Sequence, residues 1–324
     1  MSSREALSGE VAWADGRVFP RAELALPLGD AGFVLGATVT EQLRTIRGRL
    51  FLLDEHLARL QESLAVVGIV PPVALAAIGT AAEAVAVHNH AVALAATGAG
   101  GPRPEPGPDL GLVIFGTPGD LPAQHEGHGG PPRVVVHTFP LAFRLWSDAY
   151  DRGVALRTVA TRQVPGACWP VHAKVRSRLH YHLADREAHA AEPGARAVLE
   201  HLDGRVSETS TANIAVVSRG AITVPPPDDA LGGVSLAFTR RLAERLGIPW
   251  CERSLRAADL AAADEILLTS TPSCILPATR FDGLAVGSGV PGPVYRRLLD
   301  AWSADVGLDI AAQARQHRQP PAKA

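Results

Sequence analysis

Four turn signals limit what this 324-residue chain can fold into. Ala14-Asp15-Gly16, Arg47-Gly48, Asp203-Gly204 and Arg219-Gly220 each lie between short apolar runs. A turn residue followed by glycine in such a setting reverses the chain between two strands. Residues 11–19 therefore read as two strands around the first turn. Residues 38–46 and 50–53 flank the second, 197–202 and the strand around Val206 the third, and 214–217 and 222–224 the fourth. Residues 110–115, 133–139, 154–160, 265–269 and 275–278 are further apolar strands. Helices fall between them. Asp54 caps residues 54–64, with Leu57, Leu60 and Leu64 on one stripe. Residues 73–96 read as helical, Lys174 opens a helix over 175–191, and 235–246 is a helix closed by Gly247. Strand–helix alternation and a GxGxxG turn are both missing, which favours an α+β fold over a Rossmann sheet.

The length suits two domains. The expected division is 1–142 and 143–310, followed by a disordered Pro/Gln/Arg-rich tail over 311–324. The Gly/Pro-rich segments 97–108 and 119–132 read as surface loops. A net charge of −2 leaves no basic excess for nucleic acid or an anionic membrane. Residues 1–15 lack a basic region followed by an apolar run, so no signal peptide is expected. Glu83, His88, Asn89 and His90 interrupt the Ala/Val run 73–96, which reads as a buried or amphipathic helix rather than a membrane span. Cys168, Cys251 and Cys274, odd in number and widely spaced, suit a reducing cytoplasm and offer no zinc-site pattern. His172, His180 and His182 surround Lys174 without an acidic partner at ligand spacing, so no metal is expected.

Of 31 lysines and arginines only two are lysine, Lys174 and Lys323. Lys323 lies in the tail, so Lys174 is the one lysine in the body of the chain. An arginine stays protonated, whereas a desolvated lysine can lose its proton and form an imine with a carbonyl.

Other signals follow in order. In Leu202-Asp203-Gly204-Arg205-Val206-Ser207-Glu208-Thr209-Ser210-Thr211-Ala212-Asn213-Ile214, Glu208 comes just after a hairpin turn. Ala230-Leu231-Gly232-Gly233-Val234-Ser235 leads into a helix, and Leu268-Thr269-Ser270-Thr271 ends a strand. Upstream stand Gly29-Asp30-Ala31-Gly32-Phe33-Val34-Leu35-Gly36, Glu41-Gln42-Leu43-Arg44 and Leu52-Leu53-Asp54-Glu55-His56-Leu57-Ala58-Arg59-Leu60. Together these motifs, over roughly residues 10 to 300, resemble the class IV aminotransferases. That is the fold-type IV family using pyridoxal 5'-phosphate (PLP), which includes branched-chain and D-amino-acid aminotransferases and aminodeoxychorismate lyase.

The resemblance implies a smaller N-terminal α/β domain and a larger C-terminal domain with a mixed sheet or pseudo-barrel. It implies that Lys174 holds PLP as an internal aldimine and shuttles a proton during amino transfer from an amino acid to a 2-oxo acid. Glu208 matches the carboxylate that keeps the pyridine nitrogen protonated. Arg59 and Thr271, with Ser270 beside it, match phosphate-binding positions; Gly232-Gly233-Val234-Ser235 ahead of a helix offers the phosphate backbone N–H groups and the Ser235 hydroxyl; and Thr211 sits where some members place a small hydroxyl residue near the cofactor. Thr40, Arg44, Arg144 and Arg178 are candidates for the substrate, as is Arg176. A homodimer is implied as well. The chain departs from the family at several points. Leu179 replaces the tyrosine that branched-chain members carry five residues after the lysine, and Tyr181 lies two residues further on. Thr40 replaces an aromatic, and Val234-Ser235-Leu236 replaces the common Ile-Thr-Arg. The Leu179 pattern gives the lyase, which eliminates pyruvate with the same lysine, as the alternative. A non-catalytic protein that binds PLP or a metabolite is a more distant one.

Overall fold

A computed structural model of the chain describes residues 9–96 and 109–318. The backbone forms two compact units. The first runs to Leu141 and also includes Ala173–Ser177; the second comprises Ala142–His172 and the chain from Arg178 onward. The expected loop 97–108, the residues before 9, and Lys323 lie outside the described residues.

In the first unit, β1 (Val11–Ala14), β2 (Arg17–Pro20), α1 (Ala31–Val34), β3 (Val39–Ile46) and β4 (Arg49–Leu50) precede α2 (Leu53–Val67) and α3 (Leu75–Ala96). Strands β5 (Leu110–Thr117) and β6 (Arg133–Pro140) complete it. The six strands pair antiparallel throughout, in the order β2-β1-β6-β5-β3-β4. Because strand side chains alternate between faces, the two faces of this sheet differ. Val39, Leu43, Leu112, Ile114, Val134 and Val136 meet Leu57, Leu60 and Leu64 of α2 and Ile78, Ala82 and Val85 of α3. Val113, Phe115 and Val135 form a smaller cluster of their own.

The helix expected from Asp54 starts one residue earlier. Leu52 adopts left-handed backbone (φ 55°), and Asp54 and Glu55 fall in the first turn, where their charges favour the positive end of the helix dipole. Among the described residues, no helix is long and apolar enough to cross a membrane. The polar break in α3 has a structural use. Asn89 is fully buried; its Oδ1 accepts from Val11 N (2.7 Å), and its Nδ2 donates to Val11 O (2.8 Å) and Thr138 Oγ1 (2.7 Å). A helix side chain thus acts as a strand partner for β1.

The second unit contains α4 (Ala149–Arg152), β7 (Val154–Arg162), α5 (Leu179–Ala191), β8 (Arg196–Glu200), β9 (Val206–Thr209), β10 (Asn213–Ser218) and β11 (Ala221–Val224). There follow α6 (Val234–Arg245), β12 (Trp250–Glu252), α7 (Ala257–Ala261), β13 (Glu265–Ser270), β14 (Cys274–Phe281), β15 (Leu284–Ala285), α8 (Pro293–Val306) and α9 (Ile310–Gln316). The strands run β12-β11-β10-β13-β14-β7-β8-β9, and β9 also pairs with β10. This closes a ring of six strands from β10 to β9, the pseudo-barrel that the resemblance implies. The sheet is mixed: β7 is parallel to both β14 and β8, and β11 to β12.

Two expectations are corrected. The helix expected over 175–191 begins at Leu179, because residues 174–176 are extended. Thr40 N donates to Lys174 O (2.9 Å), Arg176 N donates to Thr38 O (2.8 Å), and Val175 bridges Val39. Backbone groups engaged in a ladder cannot also form helix hydrogen bonds. The same pairing groups Ala173–Ser177 with the first unit rather than the second. The tail expected to be disordered from 311 instead forms α9 over Ile310–Gln316. Asp309 caps it by accepting from Ala312 N (2.8 Å), and Ile310 and Ala314, four residues apart, are buried together. Residues 319–324 lie outside the described residues.

Replacing Asn89 with Leu should leave the Val11 N–H and C=O buried without partners. A loss of about 1–3 kcal/mol or more is expected in equilibrium urea unfolding.

Candidate active site

In the first unit, His56, Arg59 and Ser63 recur on α2 at helical spacing and are all buried. Glu41 alternates with Val39 and Leu43 on the face of β3 that packs against this helix. Arg59 grips Glu41 with both arms of its fork, Nε to Oε1 (2.7 Å) and Nη2 to Oε2 (2.7 Å). His56 Nδ1 lies 2.7 Å from Glu41 Oε2. Burial pushes the Glu41 carboxyl up, but the Arg59 charge and the bonds from Arg59 and His56 outweigh it and bring the group down to about 2. For His56, burial outweighs the Glu41 bond and lowers its pKa, so a neutral imidazole donates its Nδ1 proton to an ionised carboxylate.

Lys174 belongs to the same unit. Ser63 Oγ accepts from its backbone N (3.0 Å), its carbonyl takes Thr40 N, and its charge is close enough to His56 to disfavour protonation there. Lys174 and Arg176 project to the same side of the extended segment, away from Val175, which packs on the core. The Arg176 guanidinium stands 5.4 Å from the Phe115 ring centre.

In the second unit the arrangement centres on Asn213. It is the cross-strand partner of Glu208 on one side and of Thr269 on the other. Its Nδ2 donates to Leu231 O (2.7 Å) and lies 3.4 Å from Glu208 Oε2. A Cβ on Gly233 would sit 1.9 Å from Asn213 Oδ1, so only glycine fits where the chain enters α6. Glu208 is buried and accepts a 2.6 Å hydrogen bond from the Tyr181 hydroxyl at Oε1. The first turn of α6 carries Val234 and Ser235, both buried, and its N-cap Gly233 supplies no side-chain cap. Ser270 and Thr271 lie half-buried where β13 turns into β14, with Ser270 Oγ 2.8 Å from Ser273 Oγ.

The candidates from the sequence divide. Glu208, Val234 and Ser235 share the surroundings of Asn213. Lys174 and Arg59 lie within one unit, joined through α2. Thr211 is exposed in the turn between β9 and β10, its N–H 3.4 Å from Thr209 Oγ1. Thr40 is buried, and its hydroxyl donates to Ile114 O (3.2 Å). Arg44 does not stand as a substrate group. It is wholly buried, donates from Nε to Thr45 O (3.2 Å) and lies 3.9 Å from Asp109, so it secures the end of the sheet. Arg144 is exposed on a short 3-10 turn, and Arg178 donates to Ser210 O while covering the Tyr181 ring. Glu41, His56 and Asn213 carry no role that residue type and spacing alone assign. A trace of the first two was present: Glu41 shares its alternation with core residues, and His56 precedes Arg59 by three positions on a helix.

Replacing Glu41 with Gln would take away the carboxylate that both arms of the buried Arg59 fork grip, at a cost of about 3–5 kcal/mol. The folded carboxyl lies below its ordinary value of 4.5. Its contribution is therefore complete above that pH and fades as pH falls towards about 2. Urea unfolding of both proteins across this window should show their difference shrinking towards low pH.

Residues 38–281 match the family model for amino-transferase class IV. The D-alanine aminotransferase of Bacillus licheniformis is 29% identical over 291 residues, covering 89% of this chain and 94% of that protein. The T.th. branched-chain amino acid aminotransferase complexed with N-(5'-phosphopyridoxyl)-L-glutamate has the same fold, with a TM-score of 0.77, 23% identity and 97% of each chain covered. The same enzyme with pyridoxamine 5'-phosphate gives a TM-score of 0.76 at 25% identity, covering 93% of this chain and 96% of that one. The chain belongs to the class IV aminotransferase family.

Proposed function

We propose that the protein is a PLP-dependent transaminase that moves an amino group between an amino acid and a 2-oxo acid. The observation that carries this reading is the convergence on Asn213 of a buried carboxylate, Glu208, and the uncapped N-terminus of α6. A phosphorylated pyridine ring needs an anion near its nitrogen and N–H donors near its phosphate. The buried Thr269 hydroxyl, which makes no hydrogen bond among the described residues, adds a polar group beside this hub. The residues therefore fit the cofactor. The similarity to a D-alanine aminotransferase, and to branched-chain enzymes bound to phosphopyridoxyl compounds, supports the same reading.

The roles follow from chemistry. When bound, the cofactor supplies an electron-withdrawing ring that accepts the electron pair left as the Cα–H bond of an amino acid breaks. Lys174 Nζ would hold its aldehyde carbon and, once released by the incoming amine, would take the Cα proton and deliver it to that former aldehyde carbon. Glu208 would hold a proton on the ring nitrogen. The α6 amides at Val234 and Ser235, the Ser235 hydroxyl, Ser270 and Thr271 would bind the phosphate. Arg59, its fork oriented by Glu41, would add positive charge there, and Thr211 would border the cofactor. Thr40, Arg144 and Arg178 stay as groups that border the substrate. The same reading takes the working protein to be a cytoplasmic homodimer, and light scattering on the purified chain tests the second part.

Borohydride treatment of the PLP-loaded protein should fix the cofactor's mass to the peptide carrying Lys174. A screen of L- and D-amino acids should find donors that convert bound PLP to its amine form. Lys174→Ala should slow that conversion by roughly 10²–10⁴-fold. Conversion at the wild-type rate would overturn the assignment. Pyruvate released from aminodeoxychorismate without an oxo-acid acceptor would instead identify a lyase.

A further inference from the structure

The half-buried Tyr181 ring packs against Val159, Ala184, Ala188, Ala197 and Leu199 in the core between α5 and its strands. Its hydroxyl makes two contacts in the second unit. It receives Gln163 Nε2 (3.1 Å) and donates to Glu208 Oε1 (2.6 Å). Gln163 is itself fixed, with Nε2 also reaching Ser207 Oγ (3.1 Å) and Oε1 accepting from Val164 N (2.9 Å). A hydroxyl has one proton. With Gln163 occupying a lone pair, that proton is aimed at Glu208, and an ionised carboxylate can only accept. The short distance is that of a charge-assisted O–H···O⁻ bond. Burial and the neighbouring Glu208 charge raise the phenol well above its ordinary pKa, so it remains a donor throughout the working range.

We propose that Tyr181 is a positioning residue for Glu208: it commits Oε1, fixes the plane of the carboxylate and favours its ionised form, so that Oε2, which Asn213 Nδ2 also reaches (3.4 Å), is presented to the cofactor's ring nitrogen. The proposal rests on the PLP reading above. A donated hydrogen bond weakens a carboxylate as a base, so the proton shared between Glu208 and the ring stays on the ring. Without the hydroxyl, Glu208 gains basicity and loses its fixed orientation, and the proton shifts towards the carboxylate. The other charged and titratable groups around this pair are Arg178, His180 and His201. The Arg178 guanidinium stands 4.3 Å from the Tyr181 ring centre and the His180 ring 4.0 Å from it. His180 is neutral near neutral pH, since burial and Arg178 bring it down to about 4. His201, which feels the Glu208 charge, is lowered by burial and by Arg205.

The test uses the full-length protein loaded with ring-¹⁵N-labelled PLP, comparing wild type with Tyr181→Phe, which removes one oxygen and keeps the ring. The ¹⁵N chemical shift reports whether the ring nitrogen is protonated, and a purely structural role for Tyr181 would not move it. Expected are a protonated signal in the wild type, a shift towards the neutral position in Tyr181→Phe, and a PLP dissociation constant roughly ten-fold higher. Gln163→Leu, which frees the phenol to rotate, should shift the signal in the same direction by less, and it carries the test should Tyr181→Phe not fold. Identical signals and affinities in all three proteins would overturn the proposal while leaving PLP binding intact. A neutral ring nitrogen in the wild type would also overturn it. Failure of the wild type to bind PLP would instead remove the functional reading beneath it.

Discussion

The cross-strand pair Glu208–Asn213 is the constraint on which the second unit depends. It is the register contact between β9 and β10 that turns an open mixed sheet into a ring of six strands. Closing a ring removes sheet edges and places residues from distant strands side by side. Here the closing pair is also chemical. Glu208 is a buried carboxylate, and Asn213 extends the contact to the carbonyl that precedes the Gly232-Gly233 turn. A change at Asn213 would therefore disturb the barrel, the entry into α6 and the carboxylate together.

The first unit handles a different problem, that of an anion inside an apolar layer. Glu41 lies among Val39, Leu43 and the leucines of α2, where an unpaired carboxylate would cost several kcal/mol. The two-armed contact from Arg59 and the imidazole of His56 meet that cost. Both come from one helix at three-residue spacing, and helix and strand are locked together as a result. Four residues beyond Arg59, Ser63 holds the backbone of the Lys174 segment. The lysine segment is thus tied by backbone hydrogen bonds to both α2 and β3.

Several of these features are legible in the residues themselves. The Asp15-Gly16, Arg47-Gly48, Asp203-Gly204 and Arg219-Gly220 turns all form, with positive φ at each glycine and at Asp15, Arg47 and Arg219, because turn conformation is a local property. The stripe of Leu57, Leu60 and Leu64 on α2 follows from helical period. Local signals failed where a neighbour distant in sequence competes. Residues 175–178 have side chains that a helix accepts, yet strand pairing with Thr38 and Val39 takes their backbone first. The tail from 311 reads as polar, yet Asp309 caps a turn whose Ile310 and Ala314 find a core to enter.

The hairpin framework, the single mid-chain lysine, the glycines before α6 and the order of motifs that marks the family are all readable from the residues in a row. Each of these depends on residue type and short-range spacing. Contacts across the fold set the rest: Arg44 is buried beside Asp109, Glu41 is the partner of Arg59, and the Tyr181 hydroxyl points at Glu208. Those are contacts between residues far apart in the chain, 27 positions for Tyr181 and Glu208. Their energy appears only when burial removes water as the competing partner.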